Sequence, residues 1–412
     1  MMRCQPIIVW APLLISSIVS VIVGEVSAYL CLPNSSASRR TRRTTLGEST
    51  CSRTMLPRKQ FLASVAASSL AFMFNSQPAL AFSSSRSAPQ ASVSDVAYRA
   101  LTLDFGPGVT VPVAVWHPMD SDGAILTETA TYNHRISVAK IGDLLAGWEF
   151  IPSFASRNFV LKPSLTNARV LAAPRTNVMP LPSSGPVVIL AHGFLGSRFD
   201  LSHLAEELAS EGFIVVSPEF PESLAASYPR TEGMDRAAIT DKLLDTVQRD
   251  WSIQPTSYGI IGHSLGTGTV LNTGDDSWTR VCIAGKPSER ASPALFIGST
   301  NDGAVSLSRI GAMPKEYIKI DENSLRTANS PLPSKAALIF DRPDAPNHIS
   351  FLAEGPNDAM VQFLSPLLPV AQAMDIPVLD FDKYARVRDS RQTAEVVVPL
   401  VSTYLRQNMK MN

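Results

Sequence analysis

Charge is scarce in this chain of 412 residues, and what there is cancels: 17% of positions are charged, with 36 basic residues against 36 acidic ones. That balance excludes a nucleic-acid binder built on a strong basic face, and equally a disordered acidic tail protein. Cysteine is almost as rare. Cys4, Cys31 and Cys51 fall near the start and only Cys282 stands in the body, so no intramolecular disulfide can form there. The histidines (His117, His134, His192, His203, His263, His348) never take zinc-helix spacing and no Cys-x-x-Cys occurs, so neither a metal nor another cofactor is expected. Apolar residues are plentiful, at 45% of the chain, enough for one large domain or two ordinary ones around a sizeable core.

The neutral total hides an asymmetry, because residues 1–81 hold eight basic and two acidic residues and the remainder carries the compensating negative charge. Ile7 to Gly24 is an uncharged apolar run after Arg3, and it ends at Val26-Ser27-Ala28, a small-residue cleavage pattern before Tyr29. Residues 1–28 read as a secretory signal peptide; the competing reading is a short membrane anchor, although about 18 apolar residues barely reach the roughly 20 of a spanning helix. Residues 29–57 are rich in Ser, Thr and Arg (Arg39, Arg40, Arg42, Arg43, Arg53), the composition of a transit peptide. Residues 58–81 then open with Arg58-Lys59 before Phe61-Leu62, run apolar to Phe74 and close on Ala79-Leu80-Ala81, a second cleavage site. They read as an export signal.

Such a series resembles the targeting leaders of algae with complex plastids, where an aromatic residue such as Tyr29 follows the first cleavage site. The resemblance implies delivery to the thylakoid lumen and peripheral contact with the thylakoid membrane. Arg58 to Leu62 also resembles a twin-arginine signal with Lys59 in place of the second arginine. The alternative is a basic leader on a secreted protein, and either reading keeps residues 1–81 out of the fold.

In residues 82–412 short apolar runs alternate with helical patterns, the signature of an α/β fold, here a mostly parallel, doubly wound sheet. Leu101 to Phe105 and Val109 to Trp116, split by Gly106-Pro107-Gly108, predict an opening hairpin. Val187 to Leu190 and Phe213 to Pro218 read as parallel strands covered on both faces. Leu201, Leu204, Leu208 and Ala209 repeat at helical spacing between them, with Gly212 placed to end that helix. A second unit pairs a helix (Ile239, Leu243, Leu244, Val247) with a strand from Tyr258 to Ile261, and further strands are expected at Ala294 to Ile297 and Ala336 to Phe340. Thr393 to Leu405 predicts a closing amphipathic helix. Residues 127–180, with Trp148, Phe150, Phe154 and Phe159 among prolines, show no clean period and are expected to be an insertion or cap; Pro174 to Pro186 reads as a stiff linker.

The chemistry concentrates at Gly262-His263-Ser264-Leu265-Gly266, a G-x-S-x-G directly after a strand and before a helix, the context of a nucleophile elbow. Glycines suit a turn so sharp that backbones nearly touch, leaving the serine oxygen exposed. Serine needs a base, and in this fold the order is Ser, acid, His. One histidine, His348, follows Ser264, in a loop after the strand from Ala336 to Phe340. For the acid, Asp302 directly follows the strand Ala294 to Ile297, while Asp341 and Asp344 are rivals from the histidine's own loop. His192-Gly193-Phe194, after the strand from Val187, resembles the His-Gly motif that supplies one oxyanion donor. The backbone N–H groups would then be those of Phe194 and Leu265, with His192 holding the loop and His263 pointing away from the attack line.

These blocks resemble α/β-hydrolase-fold serine esterases, most closely the branch of chlorophyllases, platelet-activating-factor acetylhydrolases and dienelactone-hydrolase-like proteins. The likeness is carried by Pro186 to Phe194, Leu204 to Val216, the elbow, and the Asp302 and His348 blocks, about residues 186–405. It departs from dienelactone hydrolases proper in having Ser264 in place of cysteine. It implies a cofactor-free ester hydrolase acting on a hydrophobic ester of lipid or pigment through Ser264, His348 and Asp302. A thioesterase or peptidase using the same residues, or a catalytically silent pigment- or lipid-binding fold, are the alternatives.

Overall fold

The computed structural model describes residues 94–119, 126–137, 139–140, 143–144, 156–173, 181–226, 228, 233–322, 331–364 and 388–411. The leader segments 1–28, 29–57 and 58–81, and Trp148, Phe150 and Phe154, lie outside the described residues. Residues 87–363 and 377–412 form one compact unit; the second unit, 1–86 with 364–376, falls outside the described residues apart from Leu364.

The described residues open with β1 (Val96–Asp104) and β2 (Thr110–Pro118), an antiparallel hairpin whose turn uses Gly106 and Gly108 at positive φ. The parallel series follows with β6 (Ser184–Ala191), α1 (Ser202–Ser210), β7 (Ile214–Pro218), α2 (Arg236–Arg249), β8 (Gln254–His263) and α3 (Gly266–Asn272). It continues through β9 (Thr279–Ile283), β10 (Ala294–Ser299), α4 (Leu307–Ile310), β11 (Ile318–Ile320), β12 (Lys335–Phe340), α5 (Glu354–Leu364) and α6 (Ser390–Asn408). The strands form a ten-stranded sheet in the order β11-β12-β10-β9-β8-β6-β7-β2-β1-β5, where β5 is Val170–Ala172. From β11 to β7 every neighbouring pair is parallel, and β2 joins β7 antiparallel.

Why the central strands are continuously apolar is visible in β6. Val188 and Leu190 point into one core with α1 and α6, whereas Val187, Ile189 and Ala191 point into the other with α2. With helices on both faces no position is left for water, and burying each Val, Leu or Ile contributes about 1.5–3 kcal/mol. The same alternation runs through β10, with Leu295 and Ile297 on one face and Ala294 and Phe296 on the other.

The described residues within 127–180 are more regular than the sequence leads one to expect. β3 (Tyr132–Ser137) and β4 (Ser156–Leu161) pair as a separate antiparallel ribbon, and β5 then returns to the main sheet beside β1. The period of two in β3 is disguised because polar His134 faces inward with Tyr132 and Ile136. Tyr132 stacks on Phe199 at 5.2 Å and its hydroxyl donates to Glu206 at 2.7 Å. The other Glu206 oxygen accepts from the Ser164 and Leu165 N–H groups, each at 2.8 Å. One buried carboxylate on α1 thus ties this segment down. Residues Ser184 to Pro186 already belong to β6, so the stiff linker is shorter than expected; positions 174–180 lie outside the described residues.

β9 was not evident in the sequence, since Arg280 interrupts its pattern. The guanidinium is nevertheless fully buried, donating to the carbonyls of Val270, Trp278 and Thr273 and to Ser292 Oγ at 2.6–3.2 Å. A buried cation is tolerable when its N–H groups are satisfied in this way.

Candidate active site

At the end of β8 the backbone turns sharply into α3, and Ser264 at the apex has φ 55°, a left-handed conformation that a non-glycine residue adopts only under local constraint. Its N–H is held by the Ile283 carbonyl at 2.9 Å. The flanking glycines are required by close approach: a Cβ on Gly262 would lie 2.3 Å from the Gly266 oxygen, and one on Gly266 would lie 1.9 Å from the Ala191 oxygen. The elbow is therefore wedged between the strand it leaves and the end of β6. Ser264 is half-buried and reachable, whereas the next side chain, Leu265, is exposed.

Asp302, buried in the turn after β10, accepts the N–H groups of Ala304 at 3.0 Å and Val305 at 2.7 Å on Oδ1. Its Oδ2 faces His348 Nδ1 at 2.8 Å. A carboxylate held by two backbone donors and pointed at Nδ1 puts the imidazole proton there and leaves Nε2 as the basic nitrogen. The rival acids stand elsewhere: Asp341 is exposed and pairs with Lys319 at 3.0 Å, and Asp344 is exposed. His348 itself sits beside the elbow, since His263, adjacent to Ser264, donates from Nε2 to the His348 carbonyl at 3.0 Å.

The loop after β6, which carries the expected donor Phe194, lies beside the elbow. Gly193 lies against the elbow, where an added Cβ would be 3.0 Å from Ser264 Cβ, so only glycine lets this loop so near Ser264. His192 Nε2 accepts the Phe220 N–H at 2.9 Å, which fixes the proton on Nδ1; Nδ1 then donates to the Gly193 carbonyl at 2.8 Å. In a trans peptide the C=O and the following N–H point in opposite directions. Gripping the Gly193 oxygen therefore aims the Phe194 N–H. Among the described residues, no backbone acceptor takes the N–H of Phe194 or Leu265. Burial, reinforced by the Arg236 charge, holds the His192 imidazole well below the usual histidine range. It is neutral, so the 3.6 Å approach of Glu219 is not an ion pair, and Glu219 is paired instead with Arg198.

Several supporting residues carry no sequence signal that would have found them. Arg236, on α2, donates to the His192 carbonyl at 2.9 Å, pairs with Glu222 at 3.2 Å and lies over the Phe220 ring. The Glu222 carbonyl in turn accepts from Leu195 N–H at 3.0 Å. Asn301 donates to the Pro343 and Ala345 carbonyls at 3.1 and 3.0 Å, and Ser299 Oγ donates to the Pro346 carbonyl at 2.5 Å, so the turn carrying Asp302 also grips the loop carrying His348. Leu195 and Phe159 both pack against the cluster of Ile136, Leu224 and Ala359, which brings the β3–β4 ribbon to the loop after β6. Two described cavities, about 410 and 360 Å³, lie away from Ser264 along β11 and β12.

Residues 152–237 match the family model of platelet-activating factor acetylhydrolase, isoform II. The match includes His192, Gly193 and Phe194 and ends before Ser264. A comparison with curated proteins returns no match. Among solved structures, a ferulic acid esterase from Streptomyces cinnamoneus is 15% identical, with 78% of this chain and 92% of that chain covered and a TM-score of 0.41. A putative dienelactone hydrolase from Klebsiella pneumoniae is also 15% identical, covering 66% and 98%, with a TM-score of 0.32. An α/β serine hydrolase without lid from Xanthomonas campestris is 15% identical, covering 66% and 94%, at 0.31. Likenesses of that size carry nothing about activity, and the fold rests on the chain's own sheet order and elbow. With a serine at the apex of that elbow, the chain has the sheet order and sharp strand-to-helix turn of the α/β-hydrolase fold, and its residues 152–237 are similar to platelet-activating factor acetylhydrolase, isoform II.

Proposed function

We propose that the chain hydrolyses hydrophobic carboxylic esters by two-step acyl transfer, with Ser264 as nucleophile, His348 as base and Asp302 as its orienting acid. His348 Nε2 takes the Ser264 proton as Oγ bonds to the ester carbonyl carbon. The tetrahedral oxyanion is held by the N–H groups of Phe194 and Leu265, and the alcohol leaves with the proton from His348. Water, deprotonated by the same imidazole, then releases the acid and restores Ser264. The observation that carries this reading is the Asp302–His348 bond at 2.8 Å beside a serine held at φ 55°.

The acetylhydrolase match and the exposed Phe194 and Leu265 side chains flanking the nucleophile favour a short-acyl phospholipid as substrate, with the ester of chlorophyll as the second choice. The test is turnover by the full chain of matched p-nitrophenyl ester, thioester and anilide substrates, then of short- and long-acyl phosphatidylcholine and chlorophyll, with Ser264→Ala as blank. Ester turnover that is lost in the blank is expected. Amide or thioester preference would move the assignment to a peptidase or thioesterase, and no turnover at all would favour a silent binding fold.

A further inference from the structure

His263 lies inside the elbow pentapeptide but takes no part in the acyl transfer above. It is buried, and its ring stands 4.7 Å from that of His348. A carbonyl can only accept, so the 3.0 Å contact with the His348 oxygen requires the proton on His263 Nε2. Nδ1 is then a bare lone pair, and it is buried without any partner. It faces the oxyanion loop, 3.3 Å from where a Cβ on Gly193 would stand. Leaving such an atom unsatisfied is unfavourable. Shape alone does not call for a histidine here, since a phenyl ring would fill the space without that cost.

The loop carrying His348 is held at five carbonyls by side chains. Asn301 takes Pro343 and Ala345, Ser299 takes Pro346 and Asn357 takes Ile349, all from the end of β10, the turn after it or α5. Among the described residues, the His348 carbonyl is the one held from the nucleophile's own strand. The side chain of His348 is already fixed at Nδ1 by Asp302. Fixing its carbonyl as well leaves the imidazole little freedom to move away from Ser264.

We infer that His263 is a positioning residue for the proposed acyl transfer: its Nε2–H, on the strand end that becomes Ser264, holds the His348 backbone and sets the separation of nucleophile and base. The inference rests on the reading of Ser264 and His348 as nucleophile and base. It requires a donor at the far end of the side chain. Glutamine carries an amide nitrogen at about the reach of Nε2, asparagine carries one only at the level of Nδ1, and phenylalanine has none.

The test compares His263→Gln, His263→Asn and His263→Phe in the full chain, by kcat, KM and thermal midpoint on one p-nitrophenyl ester. Since a displacement near 1 Å can cost about 100-fold, the Asn and Phe variants are expected to lose about 10- to 100-fold in kcat with KM within about twofold, and Gln to stay within about threefold of the parent. Wild-type kcat in His263→Phe, or equal losses in folded Gln and Phe variants, overturns the inference. If a variant fails to fold, imidazole ¹⁵N NMR of the unmodified chain decides: a neutral His263 with its proton on Nε2 supports the inference, and a proton on Nδ1 overturns it. Failure of the function reading looks different, since the unmodified chain would then turn over no ester at all.

Discussion

Replacing Asp302 by asparagine tests the geometry of the base more sharply than deleting it. The Ala304 and Val305 N–H groups both need an oxygen at the Oδ1 position. If the amide oxygen stays there, the NH₂ group faces His348 Nδ1, which must then accept. The imidazole proton moves to Nε2, the nitrogen that has to take the proton from Ser264. In serine hydrolase triads this wrong tautomer costs about 10,000-fold in kcat, roughly 5.4 kcal/mol. The opposite flip keeps the right tautomer but aims NH₂ at two buried N–H groups, and at about 1–3 kcal/mol each that costs roughly 2–6 kcal/mol. The small active fraction it leaves bounds the loss between about 30-fold and 10,000-fold. The assay is kcat on a p-nitrophenyl ester, with the thermal midpoint as control; because the shape and the two N–H bonds are retained, the midpoint is expected to move by only a few degrees, about 1 kcal/mol. A folded Asp302→Asn variant with kcat within threefold of the parent would refute the assignment of acid and base.

Other consequences follow from the same contacts. In Gly193→Ala the new methyl, 3.0 Å from Ser264 Cβ and 3.3 Å from His263 Nδ1, must push the oxyanion loop away, and kcat is expected to fall about 100- to 1,000-fold, as for loss of one donor. Unchanged kcat in that variant would remove Phe194 from the oxyanion site. Stability should also depend on pH. Burial holds His134 and His203 at about 4 against an ordinary 6.5, and it holds His192 and His263 well below the ordinary value as well. Between pH 4 and 6.5 the unfolded chain therefore binds protons on four histidines that the folded chain leaves neutral. Burial pushes Asp200 and Glu206 up to about 7, so in that interval the folded chain keeps two carboxyl protons that the unfolded chain releases. Four outweigh two, so urea midpoints should rise with pH over this interval, and Glu206→Gln, which removes one opposing carboxyl, should steepen the rise. A flat or falling profile would contradict the buried neutral histidines.

What the sequence made legible were features carried by adjacent residues. The apolar runs of β6 and β10 are continuous because both faces are covered, and the G-x-S-x-G and His-Gly blocks are local because close approach demands glycine at fixed offsets. β9 and β3 escaped notice since Arg280 and His134 are buried at positions where a pattern reader expects apolar side chains. The linker reading fails over Ser184 to Pro186 for a similar reason, because a proline at the start of β6 looks like a loop residue. Arg236, Asn301, Ser299 and the contact of His263 were invisible for another cause. Each acts on a backbone carbonyl of a different loop, and a carbonyl leaves no mark in the sequence. Asp302 was legible as the preferred acid from its place directly after the strand Ala294 to Ile297, and the structure sets its Oδ2 2.8 Å from His348 Nδ1.

The central claim is that Ser264 is an activated nucleophile, and the most direct measurement is labelling of the full chain with a fluorophosphonate, followed by mass mapping of the modified peptide. The account requires a single adduct on Ser264, competed by short-acyl phospholipid and lost in Ser264→Ala, whose kcat should fall about a million-fold. A well-folded chain that takes no label, or takes it at another serine, would contradict it.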